Sequence, residues 1–154
     1  MAKDTMESAV PFSFTRFFEG RTRAWGVFED RRGRPRLRLE VDMRGRFEGD
    51  VFLLEEDFRY HDGRVEQRTW RVLPQPDGGF TATCPDCIGQ AVGRVTDEGV
   101  EMRYRFLLRT KRRTLSVDLR DRLYAMDERH VVNRASMSKW GVRLGELSLF
   151  FEKA

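Results

Sequence analysis

Apolar and polar residues alternate with a period of two from residue 21 to the end of the chain. Turn signals rich in Gly, Pro and Asp interrupt the alternation roughly every 8 to 12 residues, which is typical of a meander of antiparallel strands. No long stretch with helical periodicity competes with this pattern. It predicts ten strands, near residues 22–29, 36–46, 50–60, 64–72, 79–84, 88–95, 100–109, 114–125, 129–139 and 142–152.

The second predicted strand shows the two faces of such a strand most clearly. Leu37, Leu39, Val41 and Met43 lie on one face, and charged residues fill the other. The seventh predicted strand repeats this pattern. Strands that are apolar on one side and joined by short connections bury that side most simply by closing on themselves. We therefore predict an all-β fold, a single up-and-down antiparallel β-barrel of about ten strands.

The two ends of the chain add detail to this barrel. We divide the chain into an N-terminal extension, residues 1–16, and a β-barrel domain, residues 17–154. In the last strand the apolar parity changes, which predicts a β-bulge near Gly145. Aromatic side chains near the N-terminus predict a short helix or cap that closes one barrel end; they are Phe12, Phe14, Phe17 and Phe18.

The charge of the chain is unusual in kind rather than in amount. The net charge is +4, but only four of the 29 basic residues are lysines. Most arginines alternate with the 25 acids, as on the solvated face of a strand, which argues against a nucleic-acid partner. Two Arg-rich hairpin tips, 31–38 and 109–113, are the exceptions, and they would form an anion-binding patch if they were adjacent in space.

The connection 61–63 sets the register of the third and fourth strands, because His-Asp-Gly suits a type I turn followed by a glycine bulge. This register places Glu56 opposite Arg68, on the face that also carries Phe58 and Trp70. The apolar neighbours make this face the interior, so a charged pair would lie inside the barrel. A buried ion pair contributes little net stability, which makes the pair a candidate for holding a polar ligand group. The alternative is that the two charges only satisfy each other.

Arg68 is the natural anchor for a ligand carboxylate, joined by Tyr60 or Tyr104. The rest of the predicted interior is Leu, Met, Phe and Trp, so a fatty acid or another amphipathic carboxylate would suit it. The candidate ligand-binding residues are Glu56, Phe58, Tyr60, Arg68, Trp70, Tyr104 and Asn133.

The two cysteines form a single CxxC motif, Cys84 to Cys87. A zinc site needs a second such pair and a thioredoxin site needs a βαβ setting, and the sequence has neither. The enclosed Pro and Asp favour a tight connection between strands. An intersubunit zinc site and a redox-sensitive thiol are the alternatives.

His130 is the other residue that could carry metal chemistry, as a haem ligand. The predicted inward set of its strand is Val131, Asn133, Ala135 and Met137, which places His130 on the outer face.

Asp118 and Asp121 are three residues apart, on opposite faces of their strand, so we expect one surface acid and one buried acid rather than a catalytic pair. No nucleophile–base set and no phosphate-binding loop is evident, and the sequence indicates neither a cofactor nor a metal.

Trp25 lies five residues after Gly20, at the entry to the first strand. In calycins, the group that includes the lipocalins, a Gly-x-Trp near this point closes one barrel end with a basic side chain stacked on the indole. The spacing here differs from that motif, so the resemblance is architectural. We expect Trp25 to pack at the barrel end against Lys139 or Arg143.

A closer resemblance covers nearly the whole chain from Phe17 onward. The blocks FEGRTRAWG, EDFRYHDGRVEQRTW and NRASMSKWGVRLGELSLFFEK resemble the bacterial domain-of-unknown-function family 3833. The resemblance implies a calycin-like (lipocalin-like) β-barrel without an established activity. Many members resemble exported lipoproteins, but the N-terminal segment here has early acids and no run of seven apolar residues, so we expect a cytoplasmic protein with reduced thiols and no membrane span. The family pattern matches Glu56, Phe58, Arg68, Trp70, Tyr124, Asn133 and Lys139.

These observations favour a non-enzymatic barrel that binds or carries a small amphipathic carboxylate or lipid-like molecule. The alternative is a filled barrel that acts as an interaction module, through its Arg-rich hairpin tips, on an anionic partner. A third hypothesis, an isomerase- or cyclase-type enzyme with Glu56 as base, lacks a supporting catalytic group. The sequence leaves open whether the protein is a monomer or a homodimer.

Overall fold

The computed structural model describes residues 11–110 and 112–154. All ten predicted strands are present, and no strand end differs from its predicted position by more than two residues. The elements are α1 (Phe14–Phe18), β1 (Gly20–Asp30), β2 (Pro35–Glu48), β3 (Val51–Tyr60), β4 (Val65–Pro74), β5 (Phe80–Thr83), β6 (Cys87–Val95), β7 (Gly99–Arg109), β8 (Thr114–Ala125), β9 (His130–Lys139) and β10 (Val142–Lys153).

Each strand pairs antiparallel with its neighbours in the chain, and β10 pairs with β1 to close the barrel. The predicted single up-and-down barrel of ten strands is therefore confirmed. Because the strands alternate in direction, five connections lie at one end, which we call the mouth: residues 31–34, 61–64, 84–86, 110–113 and 140–141. The other four lie at the closed end: residues 49–50, 75–79, 96–98 and 126–129.

Helix α1 fills the closed end, as the aromatic residues near the N-terminus predict. Its Phe14 and Phe18 side chains are buried, and the Phe14 ring lies 4.5 Å from that of Phe80 between centroids. A Cβ on Gly45 would overlap the carbonyl oxygen of Phe18, so the helix approaches this strand only because the residue is a glycine. The Lys153 ammonium donates to the Phe17 carbonyl at 2.8 Å, which ties the end of the helix to β10.

The predicted boundary between the N-terminal extension and the barrel is not tested. Of the extension 1–16, the first ten residues lie outside the described part of the chain.

Two predicted details of register are confirmed. The β3–β4 pairing places Glu56 opposite Arg68 and Phe58 opposite Glu66. In β10 the register against β9 shifts between Arg143 and Gly145, where the bulge was expected.

On the outer wall, arginines pair with the acids that alternate with them. Arg59 contacts Asp42 at 2.8 Å and Glu40 at 3.0 Å, both across the β2–β3 pairing. Such exposed pairs contribute little to stability, because water screens both charges. Interleaved charges on this wall are therefore the solvated face that the alternation predicts.

Candidate functional site

The barrel encloses a cavity of about 510 Å³, a size typical of small-ligand pockets. It extends from Phe14 and Phe18 of α1 to Asp62, Arg64 and Thr110 at the mouth. Because the mouth residues are exposed, the cavity reaches solvent at that end. Most of the lining is apolar, and all seven candidate ligand-binding residues contribute to it: Glu56, Phe58, Tyr60, Arg68, Trp70, Tyr104 and Asn133. Ligand binding by these residues stays a prediction.

Arg68 is the central cation of this cavity. Its guanidinium carbon lies 4.7 Å from the ring centroid of Phe58 and 4.6 Å from that of Phe106. Its side chain is only 17% exposed, and its contact with Glu56 spans 3.8 Å between Nη1 and Oε1, which is too long for a hydrogen bond. None of the hydrogen bonds among the described residues involves this guanidinium. Arg68 therefore keeps its N–H donors for another acceptor.

Glu56 lies beside Arg68 but is held mainly by another residue. Its Oε1 accepts a hydrogen bond of 3.1 Å from the indole N–H of Trp70. Burial raises the pKa of the Glu56 carboxyl to about 7, although the Arg68 charge and the Trp70 hydrogen bond act in the opposite direction. Glu56 thus exchanges its proton near neutral pH.

Asp121 on β8 is a second acid in the cavity. The Tyr104 hydroxyl donates to its Oδ2 at 3.2 Å, and burial raises the pKa of Asp121 to about 7. The nearby Glu56 charge adds to this rise. Burial also raises the pKa of Tyr104 well above its ordinary value, so the phenol stays a donor. We call Glu56, Arg68, Tyr104 and Asp121 together the polar belt.

The polar belt is only partly predictable from the sequence. The alternation places Asp121 inside as the buried acid of its strand, but not near Arg68. The sequence indicates its inward direction because Asp121 lies on the same strand face as Leu119 and Leu123, which also line the cavity. The contact with Tyr104 joins residues 17 positions apart that are diagonal in the β7–β8 register.

The polar belt holds one cation and two carboxyl groups that titrate as a coupled pair. With both acids ionised, the belt would carry a net negative charge in a buried site, so protonation near pH 7 relieves repulsion between them. An anion that bound Arg68 would add a further negative charge. Its binding should therefore be accompanied by proton uptake at Glu56 or Asp121.

Asn133 is a polar group on the closed-end side of the belt. It lies opposite Leu123 and Leu149 in the two pairings of β9, and it is 5% exposed. Its Oδ1 has no hydrogen-bond partner within the described residues. Since buried polar atoms usually have a partner, this acceptor can serve a ligand hydroxyl or an enclosed water.

Tyr60 lies nearer the mouth than the belt. Its hydroxyl donates to Glu66, and the Arg64 guanidinium lies over its ring at 4.7 Å from the centroid. The hydroxyls of Tyr60 and Tyr104 each donate to a carboxylate, and among the described residues neither hydroxyl accepts a hydrogen bond from Arg68.

The predicted packing of Trp25 at a barrel end is wrong. Trp25 lies on the outer wall with 37% of its surface exposed, and its ring stacks on Phe150 with centroids 6.4 Å apart. The cation over its indole is Arg23, at 5.4 Å from the centroid. The reason is strand parity: Ala24 is fully buried, so the residue that follows it must point outward.

The two proposed partners of Trp25 bind elsewhere. The Lys139 ammonium donates to the Ser116 carbonyl at 2.7 Å and lies over the ring of Trp140. Arg143 forms an ion pair with Glu146 on the outer wall.

Cys84 and Cys87 form the predicted tight connection between β5 and β6. The Cys87 N–H donates to the Cys84 carbonyl at 3.0 Å, and both thiols are free. Burial raises the pKa of Cys84 to about 11, which disfavours the reactive thiolate.

His130 lies on the outer face, as the parity of β9 predicts. Its ring stacks on Phe150, and its nitrogens contact Asp127 at 2.8 Å and Glu152 at 3.1 Å. Within residues 11–110 and 112–154, no group of three or more His, Cys, Asp or Glu side chains could hold a metal ion. Nor does this part of the chain contain a helix with the length and apolarity to cross a membrane.

The barrel is similar to two solved structures at low sequence identity. Lobster apocrustacyanin A1 aligns with a TM-score of 0.41 and 11% identity, over 92% of this chain and 63% of that one. Apocrustacyanin C2 aligns with a TM-score of 0.42 and 11% identity, over 94% of this chain and 73% of that one.

A search of curated proteins finds no match. The family model described as "Protein of unknown function (DUF3833)" matches residues 1–153, nearly the whole chain. The resemblance noted from the three sequence blocks is therefore confirmed, and the chain belongs to the DUF3833 family of proteins of unknown function.

Proposed function

We propose that the protein is a non-enzymatic binding or carrier barrel for a small amphipathic molecule with an anionic head, such as a fatty acid. The observation that carries this proposal is the Arg68 guanidinium, which is 17% exposed and lines the cavity without a hydrogen-bond partner in the described chain. Its N–H donors can therefore bind an acceptor that enters the cavity. A ligand carboxylate would satisfy these donors with two parallel N–H···O bonds.

The residues around Arg68 favour the binding of a carboxylate over that of a neutral head group. Phe58 and Phe106 lie against the guanidinium and restrict its orientation, which reduces the entropy lost when an anion binds. The ion pair with Glu56 is long, and protonation of Glu56 would weaken it further. The anchor site can therefore exchange its internal partner for a ligand.

The apolar lining would hold the hydrocarbon part of the ligand. Burial of a methylene group contributes roughly 0.8 kcal/mol, which is about a fourfold gain in affinity. In a series of saturated fatty acids, affinity should rise by about this factor for each added methylene until the chain fills the cavity.

The proposal includes no catalytic step. Glu56 and Asp121 have the role of proton acceptors that adjust the charge of the site when an anion enters. The filled-barrel alternative predicts no binding of any member of the series.

The test is calorimetric titration of the lipid-stripped chain with saturated fatty acids of 8 to about 16 carbons and the matching primary alcohols. We expect Arg68→Gln to weaken fatty-acid binding at least tenfold and to leave alcohol binding within about twofold. Arg44→Gln, an exposed position on the outer wall, is the matched control and should change neither.

The alcohols also show whether the variant retains its fold. If Arg68→Gln fails to bind alcohols, Arg68→Lys tests the same point, because it keeps the charge but loses the two-pronged geometry. Equal fatty-acid affinity in Arg68→Gln and the unsubstituted chain would overturn the anchor role. Absence of binding throughout the series would overturn the proposed function.

A further inference from the structure

We propose that the mouth of the barrel docks on the surface of an anionic lipid bilayer. The docking surface is formed by residues that lie outside the polar belt. Transfer of a ligand between the bilayer and the cavity would follow from the proposed function, but docking itself does not depend on it.

The connections at the two ends of the barrel carry opposite charge. The described residues of those at the mouth include six basic and two acidic residues, a net charge of +4: Arg31, Arg32, Arg34, Arg64, Arg112 and Arg113 against Asp62 and Asp86. Those at the closed end contain one basic and six acidic residues, a net charge of −5: Arg129 against Asp50, Asp77, Asp97, Glu98, Asp127 and Glu128. The barrel is thus polarised along its axis.

This polarity orients the protein at a charged surface. Tilted strands of about ten residues separate the two ends by roughly 25 Å. Charges are screened over about 8 Å at physiological ionic strength. Each end therefore acts separately, and an anionic surface attracts the mouth and repels the closed end.

The positive charge is concentrated on one side of the mouth. In the closed sheet, the β1–β2, β9–β10 and β7–β8 hairpins follow one another around the rim. We call the described residues of their tips the basic arc: 31–34, 140–141, 110, 112 and 113. It places the two Arg-rich tips at the same end of the barrel, with the β9–β10 tip between them.

Arginines of the basic arc differ from those of the outer wall in their partners. No ion pair within the described chain uses the five exposed arginines of the arc: Arg31, Arg32, Arg34, Arg112 and Arg113. At the rest of the rim, by contrast, Asp62 pairs with Arg64 and Asp86 with Arg109.

Trp140 lies in the middle of the basic arc and is 88% exposed. Together with Gly141 it forms a two-residue turn in which both residues have positive φ, 52° and 77°. Such turns favour Asn, Asp and Gly, so a tryptophan is unfavourable there and gains almost no burial in return. The Lys139 ammonium lies over the Trp140 ring at 4.6 Å from the centroid, but the ring is otherwise little packed, and a strained residue with so little burial indicates a functional role.

An exposed indole among basic residues fits a bilayer better than the other anionic surfaces. Tryptophan is enriched at membrane interfaces, where its ring lies at the level of the head groups. Val142, next to the turn, is 52% exposed and would extend the apolar contact. Because the cavity also opens at the mouth, the docked orientation would bring its entrance to the lipid.

The test is co-sedimentation with vesicles of phosphatidylcholine alone and of phosphatidylcholine and phosphatidylglycerol in a 7:3 ratio. We expect binding only to the anionic vesicles, with a steep loss between 50 and 300 mM salt. Arg112→Gln with Arg113→Gln should weaken binding about fivefold for each charge removed. Arg21→Gln with Arg44→Gln, the same charge change on exposed wall positions, is the matched control and should have little effect.

Trp140→Asn separates docking from folding, because asparagine suits a positive φ and should leave the thermal midpoint unchanged or higher. We expect it to weaken vesicle binding at least threefold. Arg68→Gln should dock normally, so failure of docking and failure of the proposed function are distinguishable. Equal binding to both vesicle types, or an equal effect of the arc and wall pairs, would overturn the proposal. So would binding to a mixed-sequence DNA duplex without binding to vesicles.

Discussion

Two glutamates of the barrel, Glu101 on the outer wall and Glu56 in the cavity, both lie beside arginines, but their pKa values are shifted in opposite directions. Glu101 receives charge-assisted hydrogen bonds from Arg120 at 2.7 Å and Arg103 at 2.9 Å, which lower its pKa to about 2. Glu56 has one arginine at 3.8 Å, and burial raises its pKa to about 7.

The difference shows that an arginine neighbour does not by itself keep a carboxylate ionised. On the wall, the arginine donors reach the Glu101 oxygens and remain partly in water, so the ionised form is solvated by both. In the cavity, Arg68 makes no hydrogen bond to Glu56 and both side chains are less than a fifth exposed, so desolvation dominates. On the outer wall, the carboxylate of Glu101 is hydrogen-bonded to its arginine partners. In the polar belt, the Arg68 guanidinium keeps its N–H donors for another acceptor.

The largest effect on stability is expected from Glu56→Gln, which removes the buried acid. Burial of an ionised Glu56 costs stability, and a pKa raised from 4.5 to about 7 corresponds to roughly 3 kcal/mol at pH 8. The native state binds the proton more tightly, so this cost is absent below pH 4.5, grows between pH 4.5 and 7, and is constant above. Denaturant unfolding should show Glu56→Gln more stable by about 2 kcal/mol at pH 8 and by less than about 1 kcal/mol at pH 5.

Asp121 also contributes to the dependence of stability on pH, because its pKa is raised as well. Removal of the Glu56 charge lowers the pKa of Asp121, so part of the pH dependence should persist in the variant. A variant that is less stable than the unsubstituted chain at pH 8 would contradict the assignment of Glu56 as a strained, desolvated acid.

The second expectation concerns ligand binding by the polar belt. If a carboxylate that binds Arg68 is accompanied by uptake of one proton near pH 7, its affinity should fall about five- to tenfold between pH 7 and pH 8. The affinity of the matching alcohol should stay constant. Calorimetry in buffers of different ionisation enthalpy measures the proton uptake directly, and an uptake of zero would contradict the coupling.

The third and smallest expected effect is that of Glu101→Gln on the wall. The lowered pKa means that this glutamate contributes stability above pH 4.5, and the contribution is lost as the pH falls toward 2. Because its arginine partners are about half exposed or more, we expect a loss of only about 1 kcal/mol at pH 7. Glu55→Gln, which removes an exposed pair with Arg46, is the control and should lower the denaturant midpoint less than Glu101→Gln does. A larger loss for Glu55→Gln than for Glu101→Gln would reverse this order.

The β3–β4 hairpin shows how much of the site was predictable. Alternation fixed which side chains point inward, and the turn 61–63 fixed their register, so Glu56 and Arg68 were placed together correctly. The prediction for Trp25 was wrong because it relied on a motif of calycins. Strand parity points Trp25 to the face opposite that of Ala24, which is the outer face. Where local periodicity and a distant resemblance disagreed, the periodicity was right.

The sequence by itself determined the strands, their inward faces, the bulge at Gly145 and the pairing of Glu56 with Arg68, because these depend on alternation and on turns a few residues long. Only the tertiary structure decided that Phe106 lies against Arg68 and that Asp121 joins the polar belt. It also decided that Trp140 lies between two Arg-rich tips. These relations depend on closure of the sheet, which brings strands distant in the chain to face one another across the cavity and around one rim.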